Sequence, residues 1–249
     1  MKPITELKKS DIQKIKLLVF DVDGVLVPRG TKIKQVGNTT TLETKKIPEE
    51  LIEQIKKLNK KGFKINITSG RSLYMLQEMF QEILEFVSLT YENGSATWIK
   101  GKFYQNVNSF EKLKKVLPKL QTIKNKNIKG FEPKEFIITI HCTKRVISIE
   151  NLMKKEKNLY CIWNDESYDI GIKNIQTKLT GLKNLIKQLK LSKNQVLALG
   201  DNYNDKELLS GSEIKITADK TRLKGDYYVN LQGKVLPAGQ LMDQILKEL

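Results

Sequence analysis

Residues 17–25 read Leu-Leu-Val-Phe-Asp-Val-Asp-Gly-Val: an apolar run, two carboxylates one residue apart, and a glycine. An uninterrupted apolar run is typical of a strand buried on both faces of a parallel sheet. Ligands of open α/β sheets bind at the carboxyl ends of such strands, where Asp21 and Asp23 would lie. Two neighbouring like charges need a cation between them, most simply Mg2+, or one must hold a proton. The alternative is a strand end capped by turn-favouring Asp and Gly.

The composition indicates a folded protein without a membrane span. Of 249 residues, 39% are apolar, which supports one large domain or two modest ones. No stretch approaches the roughly 18 apolar residues that a bilayer crossing needs, and the amino terminus lacks the apolar segment of an export signal. The two cysteines, Cys142 and Cys161, have no metal-site or disulfide spacing. We therefore expect a cytoplasmic protein with no structural zinc and no disulfide.

The charge is strongly positive, at +16, but it comes almost entirely from lysine. Lysine acts as a solvated point charge, whereas arginine is the usual bidentate reader of bases and phosphates. Seven lysines in 109–130 would steer an anionic substrate or form a solvated face. The composition therefore predicts attraction for small anions and disfavours a nucleic-acid partner. The four arginines among the 44 basic residues are Arg29, Arg71, Arg145 and Arg222.

Two parts of the chain, one near each end, alternate predicted strands and helices, which is the signature of right-handed parallel units. Pro48 and the acids after it predict a helix start, and Gly62 predicts its end. The first part contains a polar lead-in at 1–14, predicted strands at 16–20 and 63–67, and predicted helices at 48–61 and 73–86. The second part contains predicted helices at 178–189, 205–210 and 238–248, and predicted strands at 196–199, 213–216 and 226–229.

Residues 88–174 change character and predict an inserted α+β domain. The predicted core is then discontinuous, formed by 1–87 and 175–249. Residues 39–44, Thr-Thr-Thr-Leu-Glu-Thr, are predicted to form a short hairpin over the acidic site, and the role of the longer stretch 28–46 is left open. The insert contains a predicted hairpin meander around 91–102, helices at 110–122 and 148–157, and strands at 135–142, 159–163 and 168–172.

Polar clusters fall at the ends of the predicted core strands, and Lys178 opens the helix after the insert. In this order the chain resembles the haloacid-dehalogenase-like (HAD) phosphohydrolases, in the branch with a large cap between the second and third motifs. That branch includes Cof-type phosphatases, sugar-phosphate phosphatases and phosphomannomutases. The resemblance implies a Rossmann-like parallel sheet with helices on both faces, plus an α+β cap. The residues that carry it are Asp21-x-Asp23-Gly24, Ser69-Gly70-Arg71, Lys178 and Gly200-Asp201-x-x-Asn204-Asp205.

The resemblance also implies catalytic roles. Asp21 would be the nucleophile that forms an aspartyl-phosphate, and Asp23 would be general acid and then general base. Ser69, with Gly70, would bind the transferring phosphoryl group. Lys178 would neutralise charge on that group and hold Asp21.

The same resemblance implies a Mg2+ site. The ligands would be Asp21, the backbone carbonyl of Asp23, and Asp201. Asp205 and Asn204 would support the metal or bind phosphate.

Each of these residues also has a structural interpretation. Ser69 and Asp205 are common helix-capping residues. Lys178 is one of forty lysines, most of which we expect at the surface. Arg71 would bind substrate or brace its loop. His141, the only histidine, is predicted to be a packing or surface residue, which disfavours a Ser-His hydrolase.

The sequence thus predicts a Mg2+-dependent phosphatase of a small phosphorylated metabolite, a sugar phosphate or a phosphoglycolate-like acid. One alternative is a phosphomutase, which Ser69-Gly70-Arg71 disfavours. The other is a non-catalytic nucleic-acid-binding relative, which the intact acidic set disfavours. Val25 replaces the threonine of many members of the family. A homodimer is left open.

Overall fold

The computed structural model describes residues 1–37, 39–231 and 233–249, so that Asn38 of the 28–46 stretch and Gln232 lie outside the description. The chain forms two compact units. The core unit comprises Met1–Gly30, Lys45–Asn106 and Thr177–Leu249, and the insert unit comprises Thr31–Thr44 and Val107–Gln176.

The strands and helices are numbered in chain order. The strands are β1 Lys2–Pro3, β2 Leu17–Phe20, β3 Lys32–Val36, β4 Thr39–Glu43, β5 Lys64–Thr68, β6 Val87–Tyr91, β7 Ala96–Ile99, β8 Lys102–Gln105, β9 Ile128–Glu132, β10 Ile138–Cys142, β11 Leu159–Trp163, β12 Ser167–Ile172, β13 Val196–Gly200, β14 Ile214–Thr217 and β15 Tyr227–Tyr228. The helices are α1 Lys9–Ile12, α2 Glu49–Lys60, α3 Leu73–Met79, α4 Phe110–Leu113, α5 Leu117–Gln121, α6 Ile147–Lys154, α7 Lys178–Gln188, α8 Lys206–Ser210 and α9 Pro237–Glu248.

The core unit is built on one sheet with the strand order β1-β15-β14-β13-β2-β5-β6-β7-β8. The strands are parallel from β1 to β6, and β7 and β8 add an antiparallel hairpin. β2 lies between β13 and β5 in register, with Phe20 opposite Leu199 and Ile67. The three strands therefore end side by side, and the residues that follow them meet at one edge.

Helices cover both faces of this sheet, which confirms the predicted α/β core. Leu17 and Val19 of β2 share an apolar cluster with α7 and α8, while α2 contacts β5 and α9. All four residues of β2 are buried, as its uninterrupted apolar run predicts. The helix predicted after Pro48 is α2, and it ends before Gly62, whose φ of +92° favours glycine.

The insert unit contains an antiparallel sheet in the order β11-β12-β10-β9. Along β10, Ile138, Ile140 and Cys142 join the apolar core of this unit, while Thr139 and His141 alternate with them. The hairpin of β3 and β4 belongs to the same unit, where the Gln35 side chain accepts a hydrogen bond from the Phe131 backbone. The predicted hairpin is thus found as β3 and β4, but its first strand, β3, lies before the predicted residues 39–44.

Several predicted limits differ from the structure. The domain limit at residue 88 cuts through the core sheet, because β6 pairs with β5 and the β7–β8 hairpin continues that sheet. The predicted 110–122 helix is two short helices, since Pro118 cannot donate the hydrogen bond that a continuous helix needs. β9 was not predicted, and the lead-in at 1–14 contains β1 and α1.

Across residues 1–37, 39–231 and 233–249, no helix has both the length and the apolar character that crossing a bilayer demands.

Candidate active site

The site lies at the carboxyl edge of the core sheet. Asp21 follows β2, and its backbone N–H donates to Leu199 of the neighbouring β13 at 3.1 Å. Ser69 follows β5, and Asp201 follows β13, so the three residues stand at adjacent strand ends. All three are buried, with at most 6% of each residue exposed. Three separate sequence motifs therefore meet at one edge of the core sheet.

Lys178 is the buried cation of the site. It is the first residue of α7, whose start is fixed by the Thr177 side chain accepting the Thr180 N–H. Its Nζ donates to Asp21 Oδ1 at 2.6 Å and to Asp205 Oδ1 at 2.5 Å. Only 2% of the residue is exposed, so the surface interpretation of this lysine is wrong. Lys178 therefore fixes Asp21 and Asp205 relative to each other.

Asp205 closes the loop that carries Asp201. Its Oδ2 accepts the backbone N–H groups of Asp201 at 3.0 Å and Asn202 at 3.1 Å. Asp205 thus caps the turn Tyr203–Asp205 and also faces Lys178, so its capping and site roles coexist. A Cβ at Gly200 would stand 2.5 Å from the Asp205 Cβ. Glycine at this position is what allows the Asp205 side chain to fold back over the strand end.

Asp23 lies apart from this acidic cluster and pairs with Arg71. The Arg71 Nε and Nη2 donate to the two carboxylate oxygens of Asp23 at 2.9 and 2.6 Å, a bidentate pair. The Asp23 side chain is one-third exposed, whereas Arg71 is buried. Arg71 therefore orients Asp23, which is the bracing role that the sequence left open.

The Ser69–Arg71 loop is held by backbone hydrogen bonds from the turn after β6. The N–H of Asn93 donates to Ser69, and that of Glu92 donates to Arg71. Glu92 and Asn93 both adopt positive φ, of 48° and 54°. The Ser69 Oγ accepts the Arg71 N–H at 3.2 Å, which leaves its own O–H to donate to a ligand. The Glu92-Asn93 turn thus belongs to the core unit and supports the Ser69–Arg71 loop.

The charges of the cluster are unbalanced. Burial and then the charge of Asp205 raise the pKa of Asp21 to about 8, which Lys178 only partly offsets. Burial likewise raises the pKa of Asp201 to about 6. Burial lowers the pKa of Lys178, but Asp205 and Asp21 outweigh it and hold this pKa above its usual value. Three carboxylates with two counter-charges, the buried Lys178 and the partly exposed Arg29, leave surplus negative charge.

The donor set fits a divalent cation. One oxygen each of Asp21, Asp201 and Asp205 lies within 4.8 Å of the others, and all three residues are buried. The Oδ1 atom of Asp201 is buried and has no hydrogen-bond partner among the described residues. An all-oxygen carboxylate set suits Mg2+, and the unpartnered oxygen is available to it. The carboxylate of Asp23 lies outside this cluster. A metal contact of Asp23 through its backbone carbonyl stays a prediction.

Arg29 is a site residue that the sequence did not reveal as one. Its Nη2 pairs with Asp201 Oδ2, while 45% of its side chain stays exposed. Gly24 makes room for this contact: a Cβ there would lie 2.6 Å from Asp201 Oδ2, and its φ is +83°. The one available signal is an arginine close behind the Asp-x-Asp motif in a lysine-rich chain.

The structure does not test the predicted roles of two further residues, Asn204 and Gly70. Asn204 is exposed on the Tyr203–Asp205 turn and makes no hydrogen bond with the described part of the chain. Gly70 is half-buried between Ser69 and Arg71. Their predicted phosphate-binding roles remain predictions.

The model of the haloacid dehalogenase-like hydrolase family matches residues 18–121 and 86–220 of this chain. The chain belongs to that family. The family resemblance drawn from the four sequence motifs is therefore confirmed, and the matched residues include every motif of the site.

Two relatives are named phosphoglycolate phosphatases. The chain is 27% identical to phosphoglycolate phosphatase 1 of Saccharolobus solfataricus, over 94% of this chain and 96% of the relative. It is 25% identical to the phosphoglycolate phosphatase of Sulfolobus acidocaldarius, over 81% of this chain and 82% of the relative. Both matches extend over most of the two chains compared.

The fold is shared with solved structures. A phosphatase of the haloalkanoate (HAD) superfamily from Bacteroides thetaiotaomicron superposes with a TM-score of 0.69 at 16% identity, covering 94% of this chain and 95% of that one. At this identity the similarity establishes a common architecture.

Proposed function

We propose that this hydrolase is a Mg2+-dependent phosphatase of a small phosphorylated metabolite that works through an aspartyl-phosphate on Asp21. The observation that carries the proposal is the buried cluster in which Lys178 pairs with both Asp21 and Asp205, beside the unpartnered oxygen of Asp201. Surplus negative charge at a buried sheet edge is stabilised by a bound cation, which would also attract the negatively charged phosphoryl group.

Asp21 is positioned as the nucleophile. Lys178 engages its Oδ1, which fixes the carboxylate and leaves Oδ2 for the phosphorus atom. Attack forms the bond between Asp21 and phosphorus and breaks the ester bond to the leaving oxygen. Asp21, Asp201 and the backbone carbonyl of Asp23 would hold a Mg2+ ion, which would stabilise negative charge on the phosphoryl oxygens.

Asp23 serves the proton transfers. In the first half-reaction its carboxyl group donates a proton to the leaving alkoxide, and in the second it takes a proton from the attacking water. Water then breaks the bond between Asp21 and phosphorus and releases inorganic phosphate. Arg71 holds Asp23 at both oxygens, so it positions the acid–base group rather than reacting itself.

The names of the two phosphoglycolate phosphatase relatives support a choice of substrate class. We infer a small phosphorylated acid of the phosphoglycolate type, with sugar phosphates as the second group to screen. The predicted insert would then be the cap that supplies specificity contacts.

The test is phosphate release from 2-phosphoglycolate and a sugar-phosphate panel, with Mg2+ and with EDTA. We expect Mg2+-dependent turnover that Asp21→Asn lowers by more than about 10³-fold. The matched control is Asp165→Asn, at an exposed residue of positive φ that asparagine tolerates. Turnover that EDTA leaves unchanged, or that Asp21→Asn retains, would contradict the proposal. A requirement for an added bisphosphate would indicate a phosphomutase instead.

A further inference from the structure

Three of the four arginines lie at the catalytic edge, although lysine dominates the rest of the chain. Arg71 holds Asp23, Arg222 donates to Asn202 at 3.1 Å, and Arg29 contacts Asp201. The fourth, Arg145, pairs with Glu150 in the insert unit. Arginine differs from lysine in its planar fork, which matches the two oxygens of a carboxylate or phosphate. An arginine at this edge is therefore suited to bind either group.

Arg29 stands out because its fork is only partly used. Arg71 is buried and spends two N–H groups on Asp23, and Arg222 pairs with Asp219 and Asn202. Among the described residues, Arg29 donates to Asp201 alone, and 45% of its side chain is exposed. A guanidinium has five N–H donors, so most of those on Arg29 are available to a ligand.

The placement of Arg29 ties it to the reacting centre. Asp201 contributes Oδ2 to Arg29 and keeps Oδ1 unpartnered, so one carboxylate can hold the arginine and a cation together. The Arg29 charge also lies in the electrostatic field of Asp21 and Asp23. An Asp201 oxygen lies within 4.8 Å of an Asp21 oxygen. Arg29 is therefore separated from the proposed nucleophile, Asp21, by one side chain, that of Asp201.

We propose that Arg29 is a specificity-determining residue that binds a second anionic group of the substrate, a carboxylate close to the phosphoester. This inference rests on the proposed phosphatase function and deepens it to phosphorylated carboxylic acids of two or three carbons. Asp201 orients the guanidinium, and the exposed N–H groups pair with the substrate carboxylate. A neutral substrate of the same length leaves these donors unused and binds less well.

The experiment compares 2-phosphoglycolate with ethyl phosphate, which carries a methyl group in place of the carboxylate. We expect the wild-type protein to prefer 2-phosphoglycolate. Arg29→Met should lower kcat/KM for 2-phosphoglycolate by about 10- to 100-fold, mainly through KM, and change ethyl phosphate by less than about threefold. Arg29→Lys keeps the charge but loses the planar guanidinium. Its kcat/KM for 2-phosphoglycolate should lie between those of the wild type and Arg29→Met.

Arg222→Met is the matched control, because it removes an arginine charge from the same edge. We expect it to leave the ratio of the two substrates within about twofold of wild type. Binding provides a second readout: in the Asp21→Asn protein, calorimetry should show that Arg29→Met weakens 2-phosphoglycolate by the same factor as it lowers kcat/KM.

The outcomes separate the two proposals. If the wild type hydrolyses 2-phosphoglycolate but Arg29→Met lowers both substrates equally, Arg29 only supports the loop and this inference is wrong. The same holds if the wild type does not distinguish the two substrates. If the wild type hydrolyses no phosphate ester in the panel, the phosphatase proposal itself fails and the role of Arg29 fails with it.

Discussion

The core and insert units each bury a charged cluster, and the two clusters differ in their balance of carboxylates and cations. In the core, Asp21, Asp201 and Asp205 surround a single buried ammonium, that of Lys178. In the insert, one buried carboxylate, Glu132, faces two basic groups. Its oxygens lie 2.8 Å from His141 Nε2 and 3.2 Å from Lys134 Nζ.

The pKa shifts express this difference. Burial raises the pKa of Asp21 to about 8, and Asp205 adds to it. Burial also pushes the pKa of Glu132 up, but Lys134 and His141 outweigh it, so this pKa lies below its usual value. Lys134 and His141 balance the charge of Glu132, although its Oε1 is buried without a hydrogen-bond partner among the described residues. The core cluster instead has more carboxylates than cations. We therefore expect a surplus of like charge, more than burial of charge alone, to mark a ligand site.

The largest effect on stability is expected from removing the core cation. Lys178→Met leaves Asp21 and Asp205 buried without a counter-charge and should lower the free energy of unfolding by about 3–5 kcal/mol. Urea unfolding measures this, with Lys206→Met, at an exposed residue of α8, as the control within about 0.5 kcal/mol. Adding Asp21→Asn to Lys178→Met should restore part of the loss, since it removes one of the two stranded charges. Equal stability of the two lysine variants would show that the core cluster does not depend on Lys178.

A smaller effect is expected in the insert. Glu132→Gln removes a charge that its neighbours satisfy and should cost about 1–3 kcal/mol at pH 7. Because the pKa of Glu132 is lower in the folded state, its stabilisation is present above the unfolded value of about 4.3 and is lost as pH falls through the folded value. The difference between wild type and Glu132→Gln should therefore shrink below about pH 4.

The control for this second prediction is Glu111→Gln, which breaks an exposed pair with Lys114. It should change stability by at most about 0.5 kcal/mol, and less at high salt. If Glu132→Gln behaves like Glu111→Gln, the insert cluster is not the balanced network described above.

The sequence predicts the core well because its signals are local. The strands β2, β5 and β13 are each followed by a polar motif, and neighbouring parallel strands bring their carboxyl ends together whatever lies between them in the chain. The order of the motifs was enough to assemble Asp21, Ser69, Lys178 and Asp201.

The sequence fails where a partner is distant. Nothing near Arg29 indicates Asp201, 172 residues away. Likewise, the sequence of β6–β8 does not indicate which of the two sheets these strands join. The predicted domain limit at residue 88 therefore falls before strands that belong to the core sheet. β9 was missed because Gly130 and Lys129 weaken its alternation. For His141, by contrast, the packing alternative of the prediction is confirmed, since the structure buries it against Glu132.

The most direct test of the central claim is calorimetric titration of Mg2+ into three proteins: wild type, Asp201→Asn and Glu132→Gln. If the surplus charge of the core cluster is a cation site, the wild type and Glu132→Gln should bind Mg2+ equally. Asp201→Asn should then bind more than about tenfold more weakly. Absence of binding by the wild type, or equal binding by Asp201→Asn, would contradict the claim that the core cluster is the metal centre of a phosphatase.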